Sequence, residues 1–299
     1  MKVVYARGYE VDIGAHVFPT RKYGLVLARL LEVGALTPAD VVTPRPATWE
    51  ELGLVHASGY LVKLRDGRLS LGEIAQLELP WTPEAVDAFR LMAGGTVEAT
   101  RLAIRHGMAV HLGGGLHHAH PGHGEGFCMF HDVAVAIRVA QRAGWARRVA
   151  VVDCDVHHGN GTAAIFRGDA DVFTFSMHQE HNYPAHKPRG SLDLDLPDGM
   201  RDADYLRALE GALPKILAHG PQLAFYLAGA DPYLDDQLGG LALTLDGLRA
   251  RDRLVLRGLR AEGVPTVVTL AGGYARRVED TVTIHQTTVE EALAAAAGA

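Results

Sequence analysis

The chain has 299 residues, with 29 Lys+Arg, 35 Asp+Glu, 16 His, 2 Cys and a formal net charge of −6. At 48% hydrophobic and 21% charged it can bury a sizeable core, which excludes the disordered and fibrous classes. The negative balance argues against nucleic-acid or anionic-membrane binding, Cys128 and Cys154 are too few for a disulfide framework, and no apolar run reaches the ~18 residues of a membrane helix. No leader-like stretch opens the chain, so a reducing cytoplasm is the expected compartment.

In chain order, short β-rich runs fall at 3–5, 109–112, 149–152, 172–175, 223–227 and 266–270. Longer segments with helical spacing lie between them. After Trp81, residues Val86, Phe89, Ala93 and Val97 share one face. Leu206, Leu209, Leu213 and Ile216 make a second stripe, which Pro214 is expected to kink or divide. Leu248, Val255 and Leu259 begin a third, ended by Gly263 and Pro265. Strands alternating with helices predict an α/β fold: one open, mostly parallel central sheet with helices on both faces. No linker or repeat divides the chain, so a single domain over 1–299 is expected, with the last ~7 residues a frayed alanine-rich end.

In such sheets the ligand crevice lies beyond the carboxyl ends of the strands. The residues found there are Gly113-Gly114-Gly115-Leu116-His117-His118, then Asp153-Cys154-Asp155-Val156-His157, then Gly229-Ala230-Asp231, then Gly272-Gly273-Tyr274. Alternate residues of an extended chain point the same way, so Asp153, Asp155 and His157 can share a face. Asp155 and His157 can bind one ion, with Asp231 as third ligand and an open position left for water. A plainer reading has Asp155 capping a helix that opens near Gly159. The adjacent His117 and His118 suit proton handling, one imidazole accepting a proton beside a neighbour in a different state. Tyr274 can donate its phenol to an oxyanion. Asp236 is expected to hydrogen-bond its own loop, and Leu238 to line a channel. The remaining histidines read as surface or channel-mouth residues: His120, His123 and His131 in one polar loop, His178, His181 and His186 in another. Neither loop has the spacing of a defined zinc motif.

Four ordered motifs, GGGLHHAHPGHGEGFC (113–128), VDCDVHHGNGT (152–162), GADPYLDDQLGG (229–240) and AGGYARR (271–277), resemble the zinc-dependent histone deacetylase superfamily on the arginase/deacetylase fold. The segment HVFPTRKYG (16–24) looks like the substrate rim of class IV members, although Val17 stands where proline is common. The resemblance implies a zinc site at Asp155, His157 and Asp231, with Fe2+ or Mn2+ as alternatives. It implies His118 as general base, His117 as its electrostatic partner, Asp153 as the carboxylate bonded to His117, and Tyr274 as the carbonyl-polarising phenol. Phe127, Tyr183 and Leu238 match walls of an acyl-lysine channel. Asp153, Asp155, His157 and Ser176 match a potassium-type site. Asn160 stands where one branch carries aspartate, so His118 should be less basic than in that branch.

The implied reaction is metal-dependent hydrolysis of an N-acyl amide, on acyl-lysine with acetyl or longer chains, or on a small acylated amine such as an acetylpolyamine. Two rivals share the pocket: a dinuclear manganese ureohydrolase, which looks like D-x-H-x-D on this strand, and a non-catalytic acyl-lysine binder. No nucleic-acid or membrane partner is expected, and the oligomeric state is open.

Overall fold

The computed structural model describes residues 1–298. Eight strands form one all-parallel sheet: β1 (Lys2–Val4), β2 (Val41–Val42), β3 (Met108–His111), β4 (Val149–Asp153), β5 (Val172–Gln179), β6 (Leu192–Leu196), β7 (Leu223–Leu227) and β8 (Thr266–Thr269). Their order across the sheet is β2-β1-β3-β8-β7-β4-β5-β6. Every residue of β3, β4, β7 and β8 is buried, as continuous apolar strands covered on two faces must be. The two strands with no counterpart in the sequence reading are edges. β2 has only two residues, and β6 reads LDLDL, with a strand-disfavoured aspartate at each alternate position.

The covering helices are α1 (Lys22–Glu32), α2 (Trp49–Leu52), α3 (Ser58–Asp66), α4 (Leu71–Leu77), α5 (Pro83–His106), α6 (Asp132–Arg142), α7 (Asn160–Ile165), α8 (Asp202–Ala218), α9 (Leu245–Ala261) and α10 (Val278–Ala297). They pack in two groups, α5 with α6 and α3, and α1 with α10, α9 and α8. α5 begins where the Thr82 hydroxyl accepts from Ala85 N with Pro83 behind it, and ends at left-handed Gly107. Its predicted stripe, Val86, Phe89, Ala93 and Val97, is buried.

Three expectations fail for physical reasons. Pro214 does not divide α8: it lies on the exposed face, where the carbonyl its ring leaves unbonded meets solvent. Residues 292–297 are not a frayed end. α10 continues through them with Ala292 and Ala295 buried, because small side chains let it lie close to α9 and α1. The last residue of the expected frayed end, Ala299, lies outside the described residues. His131 and His178 are not surface histidines either. Both are fully buried, His131 at the start of α6 with Nδ1 accepting from Ala134 N, and His178 within β5.

A Cβ on Gly94 in α5 would fall on the backbone carbonyl of Arg45, whereas one on Gly211 in α8 meets nothing within 4 Å. Helix propensity alone favours alanine at both positions by up to about 1 kcal/mol. Chemical denaturation should therefore show opposite signs: Gly211→Ala stabilised by about 0.5–1 kcal/mol, and Gly94→Ala destabilised by about 2 kcal/mol or more.

Candidate active site

β3, β8, β7 and β4 are consecutive neighbours in the sheet, so their carboxyl ends open onto one place. Segments more than a hundred residues apart in sequence meet there. The chain leaving β4 carries Asp153, Asp155 and His157, that leaving β7 carries Asp231, that leaving β3 carries His117 and His118, and that leaving β8 carries Tyr274.

Asp155 is held from three sides. Its Oδ1 accepts from His157 N at 3.0 Å, its Oδ2 accepts from Gly272 N at 2.8 Å, and its own amide donates to Asp153 Oδ1 at 3.1 Å. Asp155 therefore caps no helix: α7 opens with Gly159 and no side-chain cap. Asp231 Oδ1 accepts from Val156 N at 2.9 Å, while Asp231 Oδ2 is buried without a hydrogen-bond partner. His157 Nδ1 sits 3.1 Å from Asp155 Oδ1 and 3.3 Å from Asp231 Oδ2. A Cβ at Gly272 would collide with Asp231 Oδ2, so glycine is needed where this backbone crosses the carboxylates. One nitrogen and two carboxylate oxygens within 4.8 Å of one another, one oxygen with no donor, suit a single divalent cation.

The tandem histidines differ in their partners. His117 Nδ1 donates to Asp153 Oδ2 at 2.7 Å, and His118 Nδ1 donates to Asn160 Oδ1 at 2.7 Å. The amide of Asn160 is oriented by Glu125, whose Oε1 accepts from Asn160 Nδ2 at 2.7 Å. His118 must then carry its hydrogen on Nδ1, leaving Nε2 as a bare lone pair facing the cavity. Burial lowers the pKa of both imidazoles. For His117 the charges of Asp153 and Asp155 outweigh burial and lift it to about 9. For His118 the neighbouring His117 and His157 add to burial, and it falls well below the ordinary histidine value. His157 is likewise opposed by burial, but its bond to Asp155 and the nearby charge of Asp231 raise it to about 10. Burial, with Asp155 nearby, pushes Asp231 up to about 7. Burial and the same carboxylates hold the Tyr274 phenol well above its usual range, so it remains a donor.

A channel of about 160 Å³ descends to His118, His157 and Tyr274 between Phe127, Tyr183 and Leu238. The Tyr183 ring meets that of His118 edge-on at 5.0 Å, and Phe127 faces Tyr274 at 5.9 Å. Phe127 is a non-glycine residue at φ 65°, an uncommon conformation held by its amide bond to Leu77 O and by stacking on Phe18. Despite the unusual Val17, the entrance loop is closed by His16, whose Nδ1 accepts from Phe18 N while Nε2 donates to Glu78 O. Beyond His118 and Tyr274 a second chamber of about 30 Å³ reaches Tyr23 and Leu116. Asp236 bonds its own loop as expected, accepting from Leu238, Gly239 and Tyr274 amides. Ser176 lies opposite Asp153 in the β4–β5 register, with its hydroxyl 3.0 Å from His178 Nδ1.

Three buried contributors were given no role from the sequence, although Lys22 lies within the 16–24 segment. Arg251, fully buried in α9, donates to the carbonyls of Gly229 (2.6 Å) and Cys154 (3.2 Å), the turns that carry Asp231 and Asp155. Asp252 holds Arg251 through Nε. Lys22, also fully buried, donates to Ala271 O at 2.8 Å with its ammonium 5.5 Å from the Tyr274 ring centre. Charged residues in an otherwise apolar helical stripe were the available signal, and burial was not readable from it.

A family model for the histone deacetylase domain matches residues 16–289. An uncharacterized protein of Picosynechococcus sp. is 42% identical over 285 residues, 95% of each chain. Histone deacetylase 2 of Arabidopsis thaliana is 30% identical over 300 residues, 94% of this chain and 78% of the relative. The acetoin utilization protein AcuC of Bacillus subtilis is 34% identical over 269 residues, 81% of this chain and 69% of the relative. In three dimensions the HDA15 HD domain matches with a TM-score of 0.80 at 25% identity, over 96% of this chain and 87% of that domain. With its four motifs gathered at one sheet edge and a family model spanning almost its full length, the chain belongs to the histone deacetylase family, whose members are metal-dependent hydrolytic deacetylases.

Proposed function

We propose that this chain hydrolyses an N-acyl amide, taking an acylated lysine side chain or an acylated small amine as substrate. The observation that carries the reading is the juxtaposition, at the foot of one channel, of a donor-free buried carboxylate oxygen and a bare imidazole nitrogen: Asp231 Oδ2 beside His157, and His118 Nε2 above them. Asp155, His157 and Asp231 are assigned to Zn2+, with Fe2+ or Mn2+ compatible with the same nitrogen–oxygen set. When bound, such a cation supplies Lewis acidity, polarising an amide carbonyl and acidifying water.

The chain's own residues do the rest. His118 accepts the proton of the attacking water at Nε2 and returns it to the departing amine. His117, held protonated by Asp153, keeps His118 a weak base that gives the proton back readily. The phenol of Tyr274 donates to the carbonyl oxygen as that oxygen gains charge. Phe127, Tyr183 and Leu238 enclose the methylene stem of the substrate and exclude water. Asp153, Asp155, His157 and Ser176 are assigned to a monovalent cation of the K+ type behind the site.

Asp153 is spoken for by His117 and by the Asp155 amide, which favours one divalent cation over the pair a ureohydrolase would need. All the polar groups of the reaction are present, which favours catalysis over mere binding of acyl-lysine. We further propose one domain over 1–299 and a cytoplasmic site of action. Among the described residues, no helix is long and apolar enough to cross a membrane. A chain of net charge −6 offers no general attraction to nucleic acid.

Asp231→Ala should abolish bound metal by elemental analysis. Tyr274→Phe should retain it and lose about 10²–10³-fold in kcat. Unchanged turnover in Tyr274→Phe on every cleaved substrate would remove the oxyanion role. The chamber beyond Tyr274 is much smaller than the channel that leads to it, so acetyl-lysine peptides should exceed octanoyl-lysine by about tenfold or more in kcat/KM. The pH profile checks the base. His118 must be neutral to act and its pKa is depressed, so the acid limb of kcat/KM should lie below the ordinary histidine range. Asn160→Asp would place a carboxylate on Nδ1, favour the imidazolium and move that limb to higher pH. A limb that does not move would take His118 out of the base role.

A further inference from the structure

The loop between β3 and α6 carries a second gathering of metal-capable side chains, outside the residues assigned to the reaction. His120 and His123 are three residues apart in a turn closed by His120 N donating to His123 O at 2.9 Å, and their rings stack at 4.5 Å and 14°. Glu125 Oε2 lies 3.1 Å from His123 Nε2 and 3.9 Å from His120 Nε2. One ligand atom from each of the three falls within 4.8 Å of the others. The sequence reading took these histidines for channel-mouth residues without metal spacing. The turn supplies what linear spacing does not: parallel rings that present both Nε2 atoms to the same carboxylate.

We propose that His120, His123 and Glu125 bind a second divalent transition-metal cation of the zinc class, distinct from the site at Asp155, His157 and Asp231. Two imidazoles and one carboxylate with open positions for water is a known zinc ligand set, and the 3.1 and 3.9 Å separations of the two Nε2 atoms from Glu125 Oε2 are compatible with bonds of about 2.0–2.2 Å to a shared centre. The carboxylate is ready to ligate. Hydrogen bonds from Asn160 and Tyr183 to Oε1 and from Gln76 to Oε2 hold it in place, and a cation would replace the proton that His123 Nε2 shares with Oε2. All three side chains border a solvent-open cleft beside the channel, so ion and water have access.

The backbone that carries these side chains is fixed from behind. His120 O lies 3.0 Å from His56 Nδ1, Pro121 O accepts from Ala57 N, and Glu125 N donates to Cys128 O. Two features make this site the weaker of the two: it offers one carboxylate where the deep site offers two, and its imidazoles are part-exposed, at 20% and 33% of the side chain. The site also touches the catalytic machinery. Glu125 Oε1 accepts from Asn160 Nδ2, whose carbonyl orients His118, and from the Tyr183 hydroxyl on the channel wall. Asn160 Nδ2 also lies 3.2 Å from His120 Nε2. A cation on Glu125 Oε2 would compete there with the Gln76 amide and leave the two Oε1 bonds to Asn160 and Tyr183 in place.

The test titrates Co2+, followed by its d–d absorption and by calorimetry, into the full chain already carrying one equivalent of Zn2+. A second, weaker equivalent is expected. In His120→Ala/His123→Ala that equivalent should weaken by about 100-fold or more while the first Zn2+ stays bound. In Asp231→Ala, checked for folding by circular dichroism, one Co2+ should still bind with the weaker affinity. Absence of the second equivalent from the Zn2+-loaded chain would overturn the proposal. So would its survival in the double histidine variant at an affinity within about threefold of the wild type. An Asp231→Ala chain that keeps two equivalents would instead count against the deep site and leave the histidine result standing, so the two failures are distinguishable.

Discussion

Two fully buried carboxylates, Asp155 and Asp231, set the terms for the rest of the molecule. Taking an ionised carboxylate out of water costs several kcal/mol unless donors and counter-charge replace the lost solvation. Here the donors are backbone amides. His157 and Gly272 donate to Asp155, and Val156 donates to Asp231. Those amides can be aimed inward only because β4, β7 and β8 end side by side and parallel, so three turns converge. Arg251 reinforces the arrangement from beneath by bonding the carbonyls of Cys154 and Gly229. The sheet order, the glycine at 272 and the buried arginine all answer the same electrostatic demand.

The second constraint is that two adjacent side chains of one type must behave differently. His117 and His118 have rings 4.1 Å apart, so they share much of their environment. Their Nδ1 partners separate them: a carboxylate for one, a neutral amide for the other. The amide would be ambiguous in orientation by itself, and Glu125 removes the ambiguity by claiming its nitrogen. The tautomer of His118 is thereby decided by a residue that never faces the reaction. A charge at Glu125 reaches the site through hydrogen-bond geometry as well as through Coulomb interaction.

Much of this was legible from residue order. Four apolar runs followed by glycine, histidine and aspartate marked the strand ends, because a buried parallel strand must be continuously apolar and its ligands must follow it. The stripes in α5 and α9 were legible from helical spacing. The edge strands were not: β2 has two residues and β6 alternates leucine with aspartate, and both are strands only because a neighbour offers a free edge. The Pro214 and alanine-tail expectations erred because local propensity does not report which face a helix turns to solvent or how closely it packs. His131 and His178 were misjudged for the same reason, since a histidine in a polar stretch looks identical whether exposed or capping a buried helix.

By itself, the sequence determined the strand ends, the chemistry gathered there and the family to which the chain belongs. These depend on residue type and on spacing along one chain. The tertiary structure decided which of sixteen histidines face one another, which nitrogen of His118 is bare, that Arg251 and Lys22 lie beneath the site, and that His120, His123 and Glu125 converge. Those outcomes turn on distances between 2.6 and 3.9 Å that join residues distant in sequence or on opposite sides of a turn. Only packing sets such distances.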